Sequence, residues 1–148
     1  MTWLHRSVVV VAPVAVAASA CRGPAARPQP TRPVQMMPDQ VVARLNQLLT
    51  EGNYDEVVND LLSRRVVAAA DRPALVAQLQ KRRSEIIQLA QVILVRGNDL
   101  REVRRSSQSG RYTYTLSRRL AEHSPLRTLR LISEDGQWKI DGFSRKAP

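Results

Sequence analysis

The chain has 148 residues and a formal charge of +10, from 23 Lys+Arg against 13 Asp+Glu, so it holds one domain with processing segments rather than several domains. Its single cysteine, Cys21, excludes an intramolecular disulfide framework and any cysteine-rich zinc or iron–sulfur site. Two histidines, His5 and His123, among scattered carboxylates offer no metal-ligand spacing, and no cofactor is expected.

The first twenty residues read as an export signal. Arg6 supplies a positive charge beside the terminal amine, and Ser7 to Ala18 runs without a charge. A membrane span needs about 20 apolar residues. This run is shorter and broken by Pro13, which suits the apolar region of a secretory signal peptide that is then removed. Ala18-Ser19-Ala20-Cys21 offers small residues before a cut and also resembles the lipobox of bacterial lipoproteins, with Ala18 where that family favours a larger aliphatic residue. The resemblance implies that Cys21 becomes the mature N-terminus, carrying a diacylglyceryl thioether and an amide-linked acyl chain such as palmitate. Each buried methylene contributes about 0.8 kcal/mol, and stable anchoring takes two signals. A modified Cys21 supplies them alone, anchoring the chain to a membrane without spanning it. Arg22, not Asp, follows the cysteine. In enteric-type bacteria that permits transfer to the outer membrane, so the expected location is the cell envelope, facing the periplasm from the outer membrane in a Gram-negative host.

Residues 21–38 read as a tether. Pro24, Pro28, Pro30, Pro33 and Pro38 fix φ and lack the backbone donor, which prevents helix nucleation and central-strand pairing. Such linkers extend at about 3.1 Å per residue as semi-rigid spacers.

Residues 39–148 are expected to form an α+β domain. Asp39 is placed to cap a helix with Val41, Val42, Leu45, Leu48 and Leu49 at helical spacing, ended by Gly52. A second short helix carries Val57, Val58, Leu61 and Leu62. A third starts at Asp71-Arg72-Pro73 and runs to Gly97-Asn98. Strands follow over 100–105, 112–117, 126–133 and 137–145, with turns at 106–110 and 134–136 and a loop over 118–125. Tyr112, Tyr114 and Leu116 alternate with Thr113, Thr115 and Ser117, the period of a half-buried strand. Helices first and strands afterwards predict helices packed on an antiparallel sheet of about four strands.

The segment Glu134-Asp135-Gly136-Gln137-Trp138-Lys139-Ile140-Asp141-Gly142-Phe143 resembles the final hairpin of the nuclear-transport-factor-two-like, or cystatin-like, superfamily. The opening helix, Glu51-Gly52-Asn53-Tyr54-Asp55 and the next helix resemble the same group, in particular small bacterial lipoproteins with an uncharacterised domain of this kind. Leu75 to Arg83 sits where those carry a similar amphipathic helix. The resemblance implies a curved sheet wrapped as a cone, which in some members holds a pocket for isomerase or dehydratase chemistry and in others binds partners. Fold alone transfers no activity.

Catalytic residues are not evident. His123 is the single histidine after cleavage and no nucleophile elbow frames a serine. Tyr112, Tyr114 and Trp138 are expected in the core or lining a pocket, with Trp138 buried against the helices. Asp99 and Glu102 are the carboxylates closest to the tyrosines if a pocket exists. The charge is more informative. Arginine doublets occur at Arg64-Arg65, Arg82-Arg83, Arg104-Arg105 and Arg118-Arg119. Arg104, Arg105, Arg118 and Arg119 stand at ends of expected strands, where they can converge as anion contacts on one sheet edge. Nucleic acid is not the expected partner, since an exported protein meets little and no aromatic interleaving for base stacking is present. The expectation is a non-catalytic envelope lipoprotein that binds a protein partner, an anionic lipid or a polysaccharide. The alternative is a small-ligand carrier or isomerase-like enzyme using the cone.

Overall fold

A computed structural model describes residues 34–145, so Cys21, the signal segment and most of the tether lie outside the described residues. Helix α1 (Pro38–Glu51) starts with proline in its first turn, where the missing N–H has no helical role. Its N-terminal donor at Met37 is taken by the Gln40 side chain at 2.7 Å. Asp39 is therefore inside the first turn and does not cap it. Gly52 closes the helix with φ 80°, and Asn53 N–H donates to the Leu48 carbonyl at 2.8 Å.

A single turn, α2 (Tyr54–Glu56), runs into a π turn over Val57–Leu61, and a short helix α3 (Arg64–Ala68) follows that the periodicity did not announce. The long third helix expected from Asp71 to Gly97 is two helices, α4 (Arg72–Lys81) and α5 (Arg83–Arg96). They are separated at Arg82, whose φ −104° and ψ 11° leave the helical basin.

Four strands form one antiparallel sheet in the order β1-β2-β3-β4: Val103–Gln108, Arg111–Leu116, Thr128–Glu134 and Gln137–Ser144. The fold is α+β, with helices packed against an open four-stranded sheet. Strand β1 begins three residues later than its hydrophobicity suggests, because Asp99 organises a turn. Its side chain accepts from Arg101 N–H at 2.9 Å and its carbonyl from Glu102 and Val103. The polar Ser106–Gln108 segment is strand, and the turn shrinks to Ser109-Gly110, both at positive φ (49° and 72°), the geometry that matches strand twist in a two-residue hairpin. Part of the expected 118–125 loop is a helical turn, α6 (Arg118–Ala121), capped by the Ser117 hydroxyl.

Alternation sorts the sheet into two faces. The inner face carries Val103, Tyr114, Leu116, Leu129, Leu131 and Ile140, each at most 1 % exposed. They meet Val41, Leu45, Leu48, Leu61, Leu89 and Ile93 from the helices in one cluster. The space enclosed by helices and sheet is thus largely filled with side chains. Leu62 bridges Ile140 in parallel and Ser63 N–H donates to the Ile140 carbonyl at 2.9 Å, which covers part of the β4 edge.

Candidate functional site

The outer face is the chemically distinctive surface. The register places Arg104, Ser106 and Gln108 of β1 opposite Thr115, Thr113 and Arg111 of β2, and Thr113 opposite Arg130 of β3. These residues line an open trough of about 720 Å³ that contains three guanidinium groups and no carboxylate. Thr113 sits at its centre, flanked by Ser106 and Arg130 across the strands and by Arg111 and Thr115 along its own. A smaller depression of about 170 Å³ adjoins it and shares Arg111, Thr113 and Arg130. The one acid there, Asp141, is held by Arg65 through Nε at 2.9 Å and Nη2 at 2.7 Å. Asp141 is the additional residue of a bulge, where the β3–β4 register slips between Arg130 and Leu131. The Arg130 guanidinium lies against Gly142, since a Cβ at 142 would stand 3.2 Å from its Nη2.

Arg104, Arg111 and Arg130 form none of the ion pairs among the described residues, whereas Arg44, Arg64, Arg65, Arg72, Arg82, Arg96, Arg105, Arg119 and Arg145 all pair with acids. Uncompensated guanidiniums on one face, interleaved with hydroxyl donors, are suited to oxyanions. The guanidinium fork matches carboxylate and phosphate geometry.

The doublets do not converge. Successive strand residues face opposite ways, so Arg104 reaches the trough while Arg105 turns inward. Arg105 pairs with Asp39 at 3.2 Å and lies 5.6 Å from the Tyr114 ring centre. Burial disfavours its charge, but Asp39, Tyr112 and Tyr114 outweigh that and hold its pKa above the ordinary value. Arg119 is engaged with Glu102, and Arg118 is exposed on α6, outside the trough lining. His123 is exposed in the following turn, and its carbonyl accepts from Gln88 at 2.8 Å.

The aromatic residues belong to the inner face. Tyr114 is 0 % exposed and donates to Asp39 Oδ1. Burial, then this hydrogen bond, pushes its phenol well above the usual range. A hydroxyl so enclosed reaches no ligand, and the carboxylate beside it is Asp39 from α1, not Asp99 or Glu102. Tyr112 stacks at a tilt on Tyr114 at 5.0 Å and meets Trp138 edge-on at 5.9 Å. Trp138 packs against the core cluster but is only half-buried at its rim, short of the burial against the helices that the sequence suggests.

Arg111 and Arg130 were not legible as site residues. The signal for Arg111 was the polar half of the β2 alternation, Arg111-Thr113-Thr115. For Arg130 it was a lone charge between Leu129 and Leu131. Among the described residues no group of three or more His, Cys, Asp or Glu is arranged to hold a metal. No helix there is long and apolar enough to cross a membrane. Known protein families, characterised proteins and solved structures yield no match to this chain.

Proposed function

We propose that this chain is a non-catalytic cell-envelope lipoprotein, anchored through lipid on Cys21, whose tethered domain binds an anionic envelope component on the outer face of its sheet. The observation that carries the reading is the trough in which Arg104, Arg111 and Arg130 stand together without a carboxylate partner. A cell envelope presents phospholipid headgroups, lipopolysaccharide and acidic wall polymers, and the exposed guanidiniums complement all of these. A family kinship with the nuclear-transport-factor-two-like group remains part of the proposal. It is supported by the order of helices followed by four antiparallel strands and by the Gln137–Ser144 closing strand.

Two experiments test this reading. Cys21→Ala should move the protein from the membrane fraction to the soluble or unprocessed fraction; unchanged membrane association would remove the anchor from the account. The domain beginning at residue 34 carries the described core, whose buried apolar members all lie between Val41 and Ile140. It should co-sediment with anionic vesicles at low salt and release as ionic strength rises, since exposed charges are screened over about 8 Å at 0.15 M.

A second reading, a carrier of a small apolar ligand, is favoured by a cavity of about 190 Å³ between α4, α5 and β4, lined by Leu62, Leu79, Ile86, Ile140 and Phe143 among others. Its polar lining is Gln78 and Arg82, with no carboxylate or tyrosine. The isomerase form of that reading therefore lacks a base.

A further inference from the structure

We infer that the outer face is a two-point phosphate site whose ligand is a membrane headgroup bearing two phosphates. The inference rests on the proposed function and gives its anionic component a chemical class.

The donor set points to phosphate. A carboxylate's two oxygens accept about four hydrogen bonds, of which one guanidinium fork supplies two. Here Arg111 and Arg130 flank the Thr113 hydroxyl, more donors than one carboxylate accepts but a fit for a tetrahedral phosphate. On the lattice of a sheet, strands lie about 4.8 Å apart and same-face residues about 6.8 Å along a strand. Arg111 and Arg130 are one strand and one step apart, so their attachment points are about 8 Å from each other. That is within reach of one phosphate from either side. Both line the large trough and the small depression.

Arg104 is the second point. It lines the large trough but not the small depression. Two strands and one step from Arg130, it is rooted about 12 Å away, with Ser106 and Thr115 beside it. A ligand with one phosphate engages Arg111 and Arg130 and leaves Arg104 to solvent; a ligand with two phosphates joined by a short polyol spans both points. The trough's 720 Å³ falls within the usual size of a small-molecule site. Its open form admits a headgroup still attached to its acyl chains.

The test compares the domain from residue 34 on vesicles of cardiolipin, with two phosphates per headgroup, and of phosphatidylglycerol, with one, mixed to equal surface charge. Cardiolipin should bind roughly tenfold tighter, one charge-assisted contact's worth. Arg104→Gln should reduce cardiolipin binding to the phosphatidylglycerol level, while Arg111→Gln should weaken both. Arg118→Gln, off the trough, should leave both unchanged. An unaltered urea midpoint in each variant excludes misfolding. Equal binding of the two lipids, or equal losses from Arg104→Gln and Arg118→Gln, overturns the two-point site while leaving general anion binding in place. Failure to bind either lipid at low salt would remove the phosphate inference; failure on lipopolysaccharide and acidic wall polymer as well would remove the proposed function with it.

Discussion

Among single residues, position within the alternation decides whether an arginine is structural or available. Arg105 is spent on Asp39 and the Tyr114 ring, and Arg83 donates to the Leu49 and Thr50 carbonyls at 2.7 and 2.9 Å. The last carbonyls of α1 have no partner within their helix, so Arg83 completes that end. Arg83→Ala should lower stability by about 1–3 kcal/mol, as expected for charge-assisted bonds to carbonyls, measured as a lower urea midpoint. Tyr114 supports a pH prediction. Its folded pKa lies above 10.0, the ordinary tyrosine value that describes the unfolded chain. The stability from its neutral form is therefore complete below pH 10 and lost as pH rises toward the folded value. Tyr114→Phe should cost about 1 kcal/mol at neutral pH and should flatten the alkaline fall in stability relative to the parent. An identical alkaline slope in both proteins would contradict the burial of the Tyr114 hydroxyl against Asp39.

Among the elements, the joints are where composition and fold part company. The α1 stripe Val41-Val42-Leu45-Leu48-Leu49 and the Gly52 stop were plain in the sequence, because burial on one face imposes its period directly. The break at Arg82 left no proline or glycine to mark it, and the start of β1 depends on the Asp99 turn, a side-chain contact that hydropathy does not register. Gly97 sits at the α5–β1 joint. A Cβ there would stand 2.3 Å from the Ile93 carbonyl oxygen and 2.8 Å from Arg105 Nη2. Gly97→Ala forces that backbone to move and should destabilise by about 1–3 kcal/mol, read as a lower thermal midpoint. The β3–β4 hairpin offers a contrast. Leu131, 1 % exposed, should cost about 2–5 kcal/mol when cut to Ala. The rim residue Trp138 should cost less despite its size, since part of its surface is already in water. Equal costs in parallel urea titrations would place Trp138 deeper than the rim.

At the scale of the whole molecule, the two faces of the sheet have different surroundings. The inner face, with Tyr114 and its aliphatic neighbours, closes the core against the helices. The outer face is left without a helical layer and gathers unpaired cations. The class of fold and the aromatic core positions were legible because alternation is local. The trough was not, because Arg104, Arg111 and Arg130 lie on three strands and meet only through the hairpin register. The doublets are adjacent residues, which a strand sends to opposite sides. The proposed function places anion binding on this outer face. The direct measurement is vesicle co-sedimentation of two double variants with the same charge loss, Arg111→Gln with Arg130→Gln against Arg101→Gln with Arg118→Gln. If the outer face is the site, the first pair abolishes binding to anionic vesicles and the second retains most of it. Equal retention, or equal loss, would mean that the chain's positive charge acts without a site.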